Sequence, residues 1–160
     1  MLNKLRKLVG ALGDTPEQTP FAAEALAVAA LMIEACHMDG AFDDTERATV
    51  HRLLKGAFGL NDPEVATLIA TAEQAQARAN QLVHFTRAVK DHVPVEERTE
   101  IMELLWEVVL ADGDVHDYEA NLMRRIAGLI HVTDRESGKA RKRAEAKFAL
   151  ARDGQEPLED

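Results

Sequence analysis

The chain has 160 residues, 46% of them hydrophobic and 29% charged, which fits one soluble globular domain and excludes a disordered polypeptide. Aromatic residues make up only 4% while Ala, Leu and Glu abound, so helix is favoured over sheet. A formal charge of −9 and a pI near 5.1 argue against nucleic acid as a partner, because phosphate binding needs a basic face; cations or basic proteins fit better.

Residues 1–19 are predicted to form an amphipathic helix and a linker. Leu5, Leu8, Val9 and Leu12 share a helical face, with Lys4, Arg6 and Lys7 among them. Because the basic residues are interleaved with Leu rather than followed by an apolar stretch, no signal peptide is predicted. A docked helix is the plain reading and a membrane-surface contact the sharper one. Residues 21–38 are nearly all Ala, Leu, Val, Met and Ile, with Glu24 and Glu34 as the charged exceptions. A helix that is apolar all round belongs at the centre of a bundle. Its longest uninterrupted apolar run, 25–33, is too short to span a bilayer, which takes about 20 residues. Gly40 is expected to end it.

The next helix starts at Asp43 or Asp44, with Val50, Leu53, Leu54, Ala57 and Phe58 as its inward stripe. Residues 59–63 break the pattern, with Asp62 as the expected cap and Pro63 at the first helical position. Helices follow at 63–77 and 79–92. Pro94 opens another, with Ile101, Leu104, Leu105, Val108 and Ala111 facing inward and Gly113 ending it. Residues 116–130 carry the stripe Leu122, Met123, Ile126, Ala127 and Ile130, and Thr133 can cap a last helix. No alternating strand pattern occurs. The expected fold is all-α: a single-domain bundle of seven or eight helices over 20–152, with halves at 20–92 and 93–152 and a frayed tail at 153–160.

The halves are suggested by a repeat. Asp39-Gly40-Ala41-Phe42-Asp43-Asp44-Thr45-Glu46 returns 73 residues later as Asp112-Gly113-Asp114-Val115-His116-Asp117-Tyr118-Glu119. The same offset pairs Leu31 with Leu104, Glu34 with Glu107 and Arg52 with Arg125, and most other pairs keep apolar character. Such a period is longer than the roughly 20–50 residues of solenoid arrays, so two pseudo-symmetric halves sharing a core are expected.

Two explanations compete for the acidic corners. Asp43-x-x-Glu46 reads as a capping box, and carboxylates suit a first helical turn for electrostatic reasons. Yet Glu46 and Glu119 fall on the apolar stripes of their helices. An inward carboxylate near Asp39 or Asp112 needs a cation, a hydrogen-bond donor or an arginine such as Arg52 or Arg125. Hard divalent cations favour such oxygen clusters. The spacing is not that of an EF-hand, since Gly stands second after Asp39 and the twelfth place is Val50 or, in the second copy, Met123.

The paired Asp-Gly-x-x-x-x-x-Glu pattern on a duplicated helical domain resembles the TerB family of tellurite-resistance proteins, with Ala111 to Glu119 as the closer copy. The resemblance covers roughly residues 20–135, and its short motif also occurs in DnaJ-like membrane co-chaperones. It implies a cytoplasmic bacterial helical bundle with acidic residues for divalent metals of the Ca²⁺ or Mg²⁺ class. It also implies a non-enzymatic part in tellurite or other stress resistance, beside membrane-associated Ter-type proteins. Carried over by position, the metal candidates are Asp39, Glu46, Asp112 and Glu119, with Asp43, Asp44, Asp114 and Asp117 adjacent. The alternative is an adaptor of co-chaperone type whose corners are only caps. A monomer or weak homodimer is expected.

Elsewhere the sequence offers less. Glu96, Glu100, Glu103 and Glu107 read as an exposed acidic stripe, and the basic run from Lys139 to Lys147 as a solvated helix face. His37 and His116 lack a second His or Cys at zinc-ligand spacing. The lone Cys36 excludes an internal disulfide and is compatible with a reducing compartment. No nucleophile–base set, P-loop or HExxH is present, so no enzyme is expected.

Overall fold

The computed structural model describes residues 21–36, 43–79, 82–111 and 115–155. These contain seven helices and no strand: α1 (Ala23–Cys36), α2 (Asp44–Phe58), α3 (Asp62–Ala79), α4 (Leu82–His92), α5 (Val95–Leu110), α6 (Asp117–Leu129) and α7 (Asp134–Gln155). The expected N-terminal helix, the Gly40 and Gly113 stops, and residues 156–160 lie outside the described residues.

The all-round apolar character of α1 has the predicted consequence. From Ala27 to Ile33 no residue is more than 2% exposed, and the alanines let α3, α4 and α5 approach the helix closely. The apolar stripes of α2 and α6 also face inward, burying Val50, Leu54 and Phe58 on one and Met123, Ile126 and Ala127 on the other. Among the described residues no helix is long and apolar enough to cross a membrane.

Helix ends follow from local chemistry. Gly59, at φ 64°, takes the left-handed conformation that closes α2. Past α6 that conformation falls to His131, at φ 63°, while Val132 N–H reaches back 2.8 Å to the Ala127 carbonyl. The start of α3 corrects the sequence expectation: Asn61, not Asp62, is the cap. Asn61 Oδ1 accepts from Glu64 N–H at 2.9 Å and Glu64 Oε1 accepts from Asn61 N–H at 2.9 Å. Asp62 instead accepts from Lys55 Nζ at 2.9 Å and lies 3.0 Å from His51 Nε2. Thr133 caps α7 as expected, through a 3.1 Å bond from Glu136 N–H to its hydroxyl.

The 73-residue offset carries α1 onto 96–109, α2 onto 117–131 and α3 onto 135–152, close to the bounds of α5, α6 and α7. Contacts repeat too. α1 packs on α3 as α5 packs on α7, α1 meets α6 as α5 meets α2, and α1 and α5 cross each other. α4 has no such counterpart among the described residues; it packs on α1 and α6.

Arg98 ties this arrangement together. Its buried guanidinium donates to the carbonyls of Val93 at 3.0 Å, Ile130 at 3.1 Å and Lys90 at 3.0 Å. Residue 94, whose N–H would ordinarily serve the Lys90 carbonyl, is a proline and has none. One side chain therefore satisfies carbonyls at the C-terminal ends of α4 and α6 from the first turn of α5.

Candidate functional site

At the first corner the chain enters α2 through Asp43, whose extended backbone (φ −81°, ψ 175°) turns its side chain onto the helix. Asp43 Oδ1 accepts from Glu46 N–H at 2.8 Å, and Glu46 Oε1 accepts from Asp43 N–H at 3.1 Å. The second corner has nearly the same backbone at His116 (φ −81°, ψ 160°), and its N–H donates to Glu119 Oε1 at 3.0 Å. Glu46 is 8% exposed and Glu119 5%, so both carboxylates are sunk into the bundle at matching positions. Asp43, Asp44 and Asp117 are exposed. The structure thus brings Asp43 and Glu46 together as a capping box and leaves Asp44 and Asp117 in solvent. Asp39, Asp112 and Asp114 lie outside the described residues.

The donors on offer are carboxylate oxygens, the chemistry hard divalent ions select. Among the described residues, however, no three His, Cys, Asp or Glu side chains are close enough to hold an ion.

Residues 25–142 match the family model described as "Tellurite resistance protein TerB". The chain belongs to the TerB family. No curated protein and no solved structure gave a match. The family match spans both corners of this TerB-family chain and most of its helices.

One expectation about charge is corrected. Glu96 is exposed, but Glu103 and Glu107 are buried at 9% and 6% rather than solvated. The basic run on α7 covers them. Arg143 Nε donates to Glu103 Oε1 at 2.6 Å, and Lys147 bridges Glu103 and Glu107. Two residues before Arg143, Arg141 stacks 4.9 Å from the centre of the Trp106 ring, and Trp106 Nε1 donates to Ser137 Oγ at 3.1 Å. The sequence signal was available: two acids and two bases, each at i, i+4 spacing, on helices 40 residues apart.

Burial opposes ionisation of Glu103, but the hydrogen bonds from Lys147 and Arg143 outweigh it and hold the carboxyl below its ordinary range. Burial pushes Glu107 the other way, and Lys147 only partly offsets it. Lys147 is raised, chiefly by its hydrogen bond to Glu103. A carboxyl that binds its proton less readily when folded stabilises the fold above the ordinary glutamate value. That stabilisation disappears as pH falls through the lower, folded value. Thermal melts are therefore expected to show the wild-type chain losing Tm more steeply than Glu103→Gln as pH drops below 4.5. Equal slopes would mean that Glu103 contributes nothing there.

Beside this network lies an open groove of about 480 Å³ between α2 and α5, floored by Leu53, Ala57 and Leu104. Arg52 stands across it from Glu107, whose charge it favours. The repeat-related residues Arg125 and Glu34 line a smaller hollow of about 280 Å³ between α6 and α1. Each depression joins the arginine of one half to the glutamate of the other.

Proposed function

We propose that this TerB-family chain is a non-enzymatic cytoplasmic protein of tellurite or related stress resistance. Its two acidic corners bind divalent cations of the Ca²⁺ or Mg²⁺ class. The observation that carries this reading is the matched burial of Glu46 and Glu119, since a carboxylate withdrawn from water needs positive charge or donors around it. In each corner Oε1 is engaged by a backbone N–H at the helix entry, which fixes the carboxylate in place. Asp39 and Glu46 would hold an ion at one corner, and Asp112 and Glu119 at the other, with Asp43, Asp44, Asp114 and Asp117 nearby for further oxygens or bound waters. The acidic net charge favours cation capture and basic partners. Membrane-associated Ter-type proteins are the partners this reading expects.

Calorimetric titration of chelator-treated protein with Ca²⁺ and Mg²⁺ is expected to show saturable binding by millimolar concentration, lost in Asp39→Asn/Asp112→Asn. An absence of heat with either ion discards the metal reading. A second reading is favoured by the Asp43–Glu46 box itself: the corners are caps on an adaptor. On that reading Asp43→Ala lowers stability by about 1 kcal/mol and partner binding is indifferent to chelator.

A further inference from the structure

We propose that the outward face shared by α4 and α6 docks an acidic peptide segment of a partner protein, with one apolar side chain of that segment seated in the hollow beside Arg125. α4 and α6 pack on each other and both pack on α1, so their exposed sides adjoin. On α6 the exposed stripe includes Tyr118, Asn121, Arg124 and Arg125. Leu122 and, from α4, Leu82 form the apolar part of the hollow, whose volume is about 280 Å³. Tyr118 is 69% exposed and Val83, the neighbour of Leu82, is 46% exposed, so each helix turns a large apolar side chain to water.

Charge sets the sign of the occupant. The chain carries −9 overall, yet beyond its first turn α6 has no acidic residue, and α4 sets Arg87 and Lys90 against Asp91 alone. Among the described residues neither Arg124 nor Arg125 forms an ion pair, whereas Arg47 holds Glu73 and Arg143 holds Glu103. Carboxylates on a partner supply what these guanidiniums lack. Glu34 also lines the hollow, so the inserted side chain is uncharged and the carboxylates flank it. A peptide suits this face better than an anionic bilayer. The Tyr118 hydroxyl and the Asn121 amide each donate and accept, as a peptide backbone requires, and hydrocarbon would leave both unpaired. The repeat separates these residues from the needs of the fold. At the 73-residue offset Tyr118, Asn121 and Leu122 correspond to Thr45, Ala48 and Thr49 on α2, and Arg124 to His51, which lies 3.0 Å from Asp62. An equivalent helix therefore forms without them.

Titration of the full, isotope-labelled chain with the peptide Asp-Glu-Glu-Leu-Phe-Asp-Glu-Glu tests the proposal by NMR. Chelator in the buffer keeps the result independent of cation binding at the corners. Saturable shifts are expected at Leu82, Tyr118, Leu122 and Arg125, weakening as salt rises, while Leu53 and Leu104 in the α2–α5 groove stay unmoved. The same peptide with Lys in place of every acid should give no shifts. Tyr118→Thr/Asn121→Ala installs the residues of the other half and is expected to weaken binding roughly tenfold, as is Arg124→Glu/Arg125→Glu. Unaltered core methyl signals in both variants would separate lost binding from lost folding. An absence of shifts at millimolar peptide, an equal response to the Lys peptide, or shifts centred on the α2–α5 groove would overturn the proposal. So would sedimentation with phosphatidylglycerol vesicles that Arg124→Glu/Arg125→Glu abolishes while the acidic peptide leaves the α6 signals unmoved.

Discussion

Arg98→Ala is expected to cost about 3 kcal/mol or more of folding stability, read as a lowered urea midpoint. Each of three carbonyls would lose a charged donor, and an unpaired buried acceptor costs roughly 1–3 kcal/mol. The acceptors on Val93 and Ile130 are in the buried part of this contact, whereas the Lys90 end is only part-buried and can recruit water more readily. Arg98→Lys should recover only part of the loss, because an ammonium cannot reproduce the planar fork that reaches three carbonyls at once. A cost under about 1 kcal/mol for the alanine variant would mean that water replaces the guanidinium without difficulty.

The second large effect compares repeat-related leucines. Leu31 on α1 is fully buried, whereas Leu104 on α5 is 9% exposed at the groove floor. Leu31→Ala should cost about 3–5 kcal/mol, since the close-packed centre cannot collapse around the void. Leu104→Ala should fall nearer 2 kcal/mol, because one side of that site already opens to the groove. Equal losses in chemical denaturation would show that the two halves are packed alike at these positions, contrary to the difference in their surroundings.

How far these features could be read from sequence depended on the distance over which each is determined. The stripes of α2 and α6, and the all-round apolar α1, depend on spacing within one helix, and the helical fold followed from them. The burial of Glu46 and Glu119 was legible for the same reason, as both sit on those stripes. The cap of α3 was misplaced by one residue because Asn61 and Asp62 are both good caps, and Lys55 and His51 on α2 engage Asp62. Glu103 and Glu107 looked solvated because their partners lie on α7, beyond the reach of any single-helix pattern. Arg98 gave no signal at all, since its role depends on three helix ends that meet only in the folded chain. As for the candidate site, the capping half is visible at Asp43, Glu46 and Glu119, while Asp39, Asp112 and Asp114 lie outside the described residues.

The crossed placement of Arg52 beside Glu107 in one depression, and of Arg125 beside Glu34 in the other, has a consequence for ancestry. Neither half owns a complete crevice, and a lone copy would leave the apolar flank of its first helix bare to water. A polypeptide carrying one copy would have had to associate with another of its kind about a two-fold axis, the self-complementary contact typical of homodimers. The present single chain has the geometry of that dimer after fusion, with α4 as the splice between its two halves.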